Sequence, residues 1–272
     1  MIHPDLLLSI RSGTACCNPV DYDAAKVSLP TMVQYKLDGV RGLFVPGDGF
    51  YSRDGNRWFD GKVAHIKPPP CKYVLDGEFY CHGMPFQEIA AAMAVMSYEV
   101  TPNQSRIKFH VFDFIAKGMS FRARQEQLGI MFTQSSAGTA RIRATECNCV
   151  PAVMGQFNAA VASGYEGVVL RNPFNGYRAG KSQDAVRMKA WLEEPFEVVG
   201  VSPGKGKYAG MVGALICKTA GSKFFKADGF SDEARHDWMA NPPIGRIVEI
   251  RFLQYSSVGI PMKPKFLKFA PI

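Results

Sequence analysis

Short apolar runs separated by turn residues fill the first two thirds of the chain, a pattern typical of β-strands. Gly47-Asp48-Gly49 and Asp54-Gly55 have the composition of hairpin turns. This pattern predicts strands at 31–35, 40–45, 73–75, 107–115 and 167–170.

Helical periods lie between these strands. They predict helices at 86–98, 121–132 and 153–163, and Gly164 suits the C-terminal end of the last one. Strands and helices mixed in this way indicate an α+β domain built around antiparallel sheets.

The pattern changes after Trp191. Strands are predicted at 196–201, 211–218, 247–252 and 266–269, around one helix at 232–239. Short strands around a single helix are typical of a small five-stranded barrel such as an OB-fold. Glu193-Glu194-Pro195 is a plausible boundary, so we predict one domain at 1–193 and a second at 194–272.

Composition adds broad limits. The chain has 272 residues, enough for two domains, and no apolar run approaches the roughly 20 residues that cross a bilayer. Residues 6–10 are too short for the core of a signal peptide. Seven scattered cysteines lack the paired spacing, or the nearby histidines, of a zinc site, so reduced thiols are the better interpretation. We therefore expect a cytoplasmic protein with no membrane association.

The formal charge of +8 indicates a polyanionic partner or simply a basic surface, and charge alone does not decide between them. Basic residues cluster at 181–189, 205–207 and 263–268. Trp191, Tyr208 and Phe266 lie in or beside these clusters, which favours contact with a phosphate backbone.

The most informative candidate chemistry is at 34–41, where Lys36 is followed by Asp38, Gly39 and Arg41. Lysine becomes a nucleophile when its environment favours the neutral amine. A surface turn of the same composition would have no such role.

Four further segments supply charged residues: S-R-D-G at 52–55, L-D-G-E-F at 75–79, E-G-V-V-L-R at 166–171 and V-R-M-K-A-W at 186–191. Each has an ordinary explanation, such as a solvated strand end or the wet face of an edge strand. Together they supply what nucleotidyl transfer needs: a lysine nucleophile, cations for phosphates, and carboxylates for a ribose and a metal ion.

These motifs, with H-V-F-D-F at 110–114 and in this order, resemble the covalent nucleotidyltransferase superfamily of ATP-dependent DNA ligases. RNA-capping guanylyltransferases and RNA ligases share part of the set. Segments at 196–200, 203–208, 211–215, 229–235 and 259–268 resemble the OB domain of small phage and bacterial DNA ligases. The resemblance implies an adenylation domain of antiparallel sheets with helices, followed by a small all-β OB-fold barrel.

The resemblance also implies roles toward the nucleotide. Lys36 would attack the α-phosphate of ATP and become adenylated. Gln34 would read the adenine edge and Phe112 would stack on the adenine ring. Glu78 would accept hydrogen bonds from the ribose hydroxyls, and Arg41 would contact ribose or the phosphate at the nick.

The remaining implied roles concern phosphates, metal and the nick. Arg53 would bind phosphate, and Asp38 would act in the later steps at the nick. Glu166 would hold Mg²⁺ or Mn²⁺, and Arg187 with Lys189 would neutralise the α-phosphate. Two departures stand out. Arg187 occupies a position where the family usually has lysine, and residues 268–271 read K-F-A-P where relatives tend to have arginine and an acid.

The implied reaction is the sealing of nicked double-stranded DNA by a monomer of the small phage and bacterial type, through a lysine–AMP intermediate and a DNA-adenylate. A guanylyltransferase would use GTP with the same lysine chemistry, and residues 196–215 argue against it. An RNA ligase is disfavoured because an OB-type segment follows the nucleotide motifs directly. A catalytically silent OB protein is disfavoured because Lys36, Glu78, Glu166 and Lys189 occur together.

Overall fold

The structure is a computed structural model that describes residues 2–23, 27–58, 60–95, 99–133, 136–253, 255–256 and 258–271. The chain divides into two compact units, Met1–Lys189 and Ala190–Ile272. The division falls four residues before the predicted boundary at 193/194, which lies inside a long strand of the second unit. Glu193 and Glu194 are therefore strand residues and do not form a linker.

The first unit contains five helices and ten strands among the described residues, with these bounds: α1 Pro4–Arg11, β1 Cys17–Asp21, β2 Thr31–Lys36, β3 Val40–Val45, β4 Gly49–Ser52, β5 Leu75–Tyr80, α2 Phe86–Ala94, α3 Pro102–Arg106, β6 Lys108–Phe114, α4 Phe121–Met131, β7 Thr139–Arg141, β8 Thr145–Cys147, α5 Val150–Ala162, β9 Gly167–Arg171 and β10 Gly180–Lys189. The second unit contains β11 Leu192–Pro203, β12 Val212–Lys218, β13 Phe224–Ala227, α6 Asp232–Ala240, β14 Ile247–Phe252 and β15 Lys265–Phe269.

Two five-stranded sheets form the first unit. One has the order β1-β10-β9-β2-β8 and the other β4-β3-β5-β6-β7. Most pairs are antiparallel, as predicted. Each sheet also has one parallel pair, β1 with β10 and β6 with β7, so the sheets are mixed. The predicted α+β class, built around antiparallel sheets, is confirmed, and each sheet adds one parallel pair at its edge.

Apolar side chains pack on both sheets. Phe79, Phe109 and Phe114 are fully buried in the main core of the second sheet. On the first sheet, Val168 and Leu170 of β9 pack with residues of α5, including Val153. These two cores include Val33 of β2 and Phe79 of β5, and both strands carry predicted site residues.

The second unit is a single sheet of order β13-β12-β11-β14-β15 with a core of its own. All of its strand pairs are antiparallel. The two edges meet at one bridge, where the amide of Phe266 donates to the carbonyl oxygen of Asp228 at 2.7 Å. The predicted barrel is therefore only partly closed, which is typical of an OB-fold.

Several boundaries differ from the predictions. The predicted strand at 73–75 begins instead at Leu75, so Asp76 and Glu78 lie within β5 rather than after it. The predicted helix at 86–98 ends at Ala94, and residues 96–98 lie outside the described residues. The patterns gave no prediction for the two helices α1 and α3 or for the strands β1, β4, β7, β8 and β13. None of the helices in the described part of the chain is both long and apolar enough to cross a bilayer.

Candidate active site

A cavity of about 200 Å³ lies in the first unit, lined by residues of both sheets. Its lining residues are Asn18, Pro19, Gln34, Tyr35, Lys36, Leu37, Arg41, Arg53, Glu78, Phe112, Ile142, Val169, Arg171 and Arg187. Seven of the ten predicted site residues are among them. Of the other three, Glu166 contacts Lys36, Lys189 contacts Glu166, and Asp38 does not line the cavity.

Three neighbouring strands bring Lys36, Glu166 and Lys189 together. Lys36 ends β2 and Lys189 ends β10, and both pair with Gly167, the first residue of β9 between them. Glu166 immediately precedes that strand. One carboxylate oxygen of Glu166 contacts Nζ of Lys36 and the other contacts Nζ of Lys189. A single carboxylate therefore bridges two ammonium groups at the edge of the cavity.

Gly167 makes this close approach possible. Its φ is +145°, and a Cβ there would lie 2.1 Å from the carbonyl oxygen of Met188. No L side chain fits that space without moving β10, so a glycine is required after Glu166.

The two carboxylates of the site differ in protonation. Burial tends to raise the pKa of Glu166, but Lys36 and Lys189 outweigh it and lower the pKa below its usual value. Burial raises the pKa of Glu78 to about 7, against the opposing effect of Lys36 and Arg41. Glu166 is therefore ionised at neutral pH, whereas Glu78 is close to half-protonated.

Gln34 has a fixed orientation in the cavity. It is 2 % exposed, and its Nε2 donates to the carbonyl oxygens of Phe112 at 2.9 Å and Ile142 at 3.2 Å. These two bonds identify the amide nitrogen and leave Oε1 as a buried acceptor without a partner among the described residues. A bound ligand with a hydrogen-bond donor at this point would satisfy it.

Arg41 is held inside the protein. Its guanidinium donates to both oxygens of Asp76, at 2.9 and 2.6 Å, and to the carbonyl oxygen of Cys17 at 2.7 Å. Asp76 is fully buried and also accepts from the hydroxyl of Tyr177 at 2.7 Å. Arg41 lies 5.3 Å from the centre of the Phe112 ring. Arg41 thus lines the cavity from a fixed position and keeps two of its five N–H groups for a ligand.

The other two arginines are more accessible. Arg187 donates from Nε to Asp21 at 2.6 Å, and Asp21 raises its pKa. The side chain of Arg53 is 60 % exposed and lies beside Asp54. Both guanidiniums can turn toward an anionic ligand at low cost, because their present partners are exposed.

Some lining residues were not predicted as site residues. Arg171 ends β9, is 7 % exposed, and lies 5.6 Å from the centre of the Phe112 ring. The E-G-V-V-L-R motif already contains it, so the sequence carried that signal. Asn18 and Pro19 belong to β1, where no pattern indicated a strand or a site.

The side chains of the site can supply only part of the ligands that Mg²⁺ needs. Among the described residues, no three His, Cys, Asp or Glu side chains form a metal-binding group. Mg²⁺ at phosphoryl-transfer sites commonly takes one or two carboxylates, with nucleotide phosphates and water as the other ligands. Glu166 is one such carboxylate, so the site fits a metal that arrives with a nucleotide.

Comparisons with known protein families and sequences found DNA ligases. A family model described as ATP dependent DNA ligase domain matches residues 15–192, and one described as DNA ligase OB-like domain matches residues 203–269. A DNA ligase of Haemophilus influenzae is 27 % identical over 236 residues, covering 86 % of this chain and 83 % of the relative. A DNA ligase of African swine fever virus is 28 % identical over 214 residues, covering 71 % of this chain and 50 % of the relative.

Solved structures agree. A structure of a Lig E DNA ligase, described as binding DNA with a minimal scaffold, has a TM-score of 0.75 at 25 % identity and covers 94 % of this chain and 99 % of that one. The ATP-dependent DNA ligase of bacteriophage T7 in complex with ATP shares the fold, with a TM-score of 0.54 at 15 % identity, covering 96 % of this chain and all of that one. The first family model alone covers more than half of the chain. This chain belongs to the family of ATP-dependent DNA ligases.

Proposed function

We propose that this enzyme seals nicks in duplex DNA through an AMP group carried on Lys36. The observation that supports this most is the contact of Lys36 with Glu166, itself in contact with Lys189, at the edge of a cavity lined by Gln34 and Phe112. A nucleophile, its electrostatic partners and a base-binding surface occur together there.

In the first step, Nζ of Lys36 attacks the α-phosphate of ATP. A phosphorus–nitrogen bond forms, the bond to the β-phosphate oxygen breaks, and pyrophosphate leaves. Lys36 reacts as the neutral amine, so the ammonium group that contacts Glu166 must lose its proton before it attacks. When Lys36 loses its proton, Lys189 still neutralises Glu166, so no unpaired carboxylate remains in the site.

We propose that Glu166 also holds Mg²⁺ once ATP is bound, and that Lys189 and Arg187 face the α-phosphate. The metal would supply charge neutralisation for the phosphates. Arg187 would leave Asp21, an exposed partner, to make that contact. Arg53, exposed beside the cavity, would bind a phosphate in the same way.

In the second step, the 5′-phosphate at the nick attacks the adenylate phosphorus and Lys36 regains its amine. In the third step, the 3′-hydroxyl attacks the activated 5′-phosphate and AMP leaves. We propose that Asp38, two residues after Lys36, acts in these later steps. All three steps are phosphoryl transfers, in which positioning and charge neutralisation dominate catalysis.

Gln34 supports ATP over GTP as the nucleotide. Its buried Oε1 is an acceptor, which suits the amino group of adenine and opposes the carbonyl oxygen of guanine. Phe112 would stack on the base and Glu78 would accept from a ribose hydroxyl. Arg41 would bind ribose or a nick phosphate with its two remaining N–H groups.

We propose further that the enzyme acts as a monomer in the cytoplasm. All groups of the proposed reaction come from one chain, so no second copy is required. All seven cysteines are free thiols, which suits a reducing compartment.

The proposed function is tested by covalent labelling. The full chain is incubated with Mg²⁺ and α-labelled ATP or GTP, denatured, and assayed for retained label. We expect label from ATP, none in Lys36→Arg, which keeps the charge next to Glu166, and normal labelling in the exposed control Lys108→Ala. Equal labelling from GTP would favour a guanylyltransferase, and label retained in Lys36→Arg would refute the role of Lys36.

A further inference from the structure

A second cavity, of about 400 Å³, lies in the first unit next to the nucleotide cavity. The two cavities share Tyr35, Leu37 and Ile142. Val33 lines only the second cavity, whereas Gln34 and Lys36 line only the first. Successive side chains of β2 point to opposite faces, so the strand that carries Lys36 separates two different sites.

Flat rings form one wall of the second cavity. They belong to Tyr35, Tyr80, His82, His110 and Tyr165. Tyr165 lies at the centre of this group, with ring centres 4.9 Å from Tyr35 and 4.8 Å from His82. The volume is within the range of roughly 300–1,000 Å³ that holds small molecules. The wall therefore offers stacking surfaces to a planar ligand.

Two of these rings, His110 and Tyr80, are uncharged at neutral pH. Burial, and then Lys108, lowers the pKa of His110 to about 4, so its imidazole is neutral. Burial raises the pKa of Tyr80 to about 12, and its hydroxyl lies 2.8 Å from Nδ1 of His82. The wall is thus suited to stacking and neutral hydrogen bonds rather than to binding a cation.

Two arginines supply positive charge without a matching carboxylate. Arg141 and Arg143 line the cavity, and no acidic residue does so among those described. Burial, and then the nearby positive charge of Arg143, lowers the pKa of Arg141. Nη2 of Arg141 donates to the carbonyl oxygen of Gln125 at 2.7 Å, but its buried Nε has no partner among the described residues.

Arg143 supplies the second positive charge of this cavity. It is exposed, and no described residue forms an ion pair with it. Two adjacent cations with no counter-charge form a site for an anion, and the anion would relieve their repulsion. A ligand that satisfies both walls needs a flat ring and a negative group close together.

We propose that this second cavity binds a nucleotide unit, with its base stacked on Tyr35 and Tyr165 and its phosphate held by Arg141 and Arg143. A chain of the DNA ligase family meets this chemistry in two forms, a free mononucleotide and an unpaired nucleotide of a DNA strand. Stacking on aromatic side chains tolerates every base, so the site needs no sequence preference. The inference does not depend on the chemistry of Lys36.

The test counts nucleotide sites on the full chain. A non-hydrolysable ATP analogue first saturates the nucleotide cavity, and dAMP is then titrated by calorimetry. We expect one further site, with affinity reduced about tenfold or more for deoxyadenosine, which lacks the phosphate, and for deoxyribose 5-phosphate, which lacks the base. Arg143→Ala should weaken dAMP binding by a similar factor, and the exposed control Arg106→Ala should leave it unchanged.

A second measurement identifies the source of the nucleotide. A short single-stranded oligonucleotide carrying 5-iododeoxyuridine is bound, irradiated and mapped by mass spectrometry. Binding at least tenfold tighter than dAMP, with cross-links in peptides containing Tyr35 or Tyr165, supports a DNA strand. Equal affinity without cross-links supports a free mononucleotide.

Two results would overturn the inference: no second dAMP site on the parent protein, or unchanged dAMP affinity in Arg143→Ala. Tyr165→Leu is a further variant for which a melting temperature is measured first, and Arg143→Ala decides alone if that variant does not fold. Lys36 labelling of the parent protein, measured in parallel, keeps the two proposals apart. Labelling without a second site refutes this inference only, whereas a second site without labelling refutes the proposed function only.

Discussion

Glu78 gives a prediction in which stability and activity change in opposite directions. Its carboxyl group has a pKa of about 7 in the folded chain, against a reference of 4.5, chiefly because it is buried. That difference corresponds to about 3 kcal/mol. Because the folded pKa is raised, the associated stability is fully present below pH 4.5 and is lost as pH rises through 7.

The perturbation is Glu78→Gln, which keeps the shape of the side chain and removes the titration. We expect the variant and the parent to differ little in unfolding free energy near pH 4.5. At pH 8.5 the variant should be more stable by up to about 3 kcal/mol. The same variant should adenylate more slowly, by roughly 10- to 100-fold, because an amide is a weaker acceptor than a carboxylate for a ribose hydroxyl.

Hydrogen exchange at the amides of β5 and β6 is the suitable assay, because it reports opening of the first unit alone. Glu88→Gln, an exposed carboxylate in the same unit, is the matched control and should change the free energy by less than about 0.5 kcal/mol. A difference between Glu78→Gln and parent that does not change with pH would refute the reasoning about burial.

Three other substitutions test separate parts of the site. Asp76→Asn leaves the Arg41 guanidinium without its buried counter-charge and should destabilise the first unit by about 3–5 kcal/mol in hydrogen exchange. If Asp76→Asn left the stability of the first unit unchanged, the need for this buried counter-charge would be contradicted. Gln34→Met removes the buried acceptor and should reduce the preference for ATP over GTP in labelling by roughly 10-fold. An unchanged ratio would exclude Gln34 as the discriminating group. Gly39→Ala puts a Cβ 2.3 Å from a carbonyl oxygen of β5, so labelling should fall by roughly 100-fold if β5 shifts Glu78 away. Normal labelling would show that the strand accommodates the methyl group.

The sequence predicted most of the elements that carry the site. Short apolar runs gave β2, β3, β9 and β14 within a residue or two. The end of β5 was placed at residue 75, five residues before its observed end at Tyr80, because Gly77 and two acids interrupt the apolar run. In the structure Gly77 is needed inside the strand, since a Cβ there would lie 2.7 Å from the carbonyl oxygen of His110 and from the Phe109 ring. That requirement comes from tertiary packing, which a local pattern does not contain.

Strand β1 was not predicted, because its local sequence lacks the features of a strand. Residues 17–21 read C-N-P-V-D, with a proline and no alternation, yet they form β1 against the edge of β10. Parallel pairing at a sheet edge leaves one side of the strand free, so a proline is tolerated there. The contribution of Asn18 and Pro19 to the cavity therefore depended on a long-range pairing that no short motif signals.

The sequence also did not predict which charged side chains of the site contact one another. The motifs gave Lys36, Glu166, Arg187 and Lys189 as separate candidates, but not that Glu166 would contact both lysines. This contact depends on the register of β2, β9 and β10 at Gly167. Register follows from the packing of whole strands, so it is fixed only when the sheet forms.

The central claim, that AMP passes from Lys36 to a broken DNA strand, is tested most directly in a single turnover. Protein pre-labelled with AMP is freed of ATP and mixed with nicked duplex DNA in Mg²⁺. We predict that the label leaves the protein, appears transiently on the 5′-phosphate at the nick, and is released as AMP in step with sealing. Label that stays on the protein while strands are sealed, or sealing by Lys36→Arg, would contradict the claim.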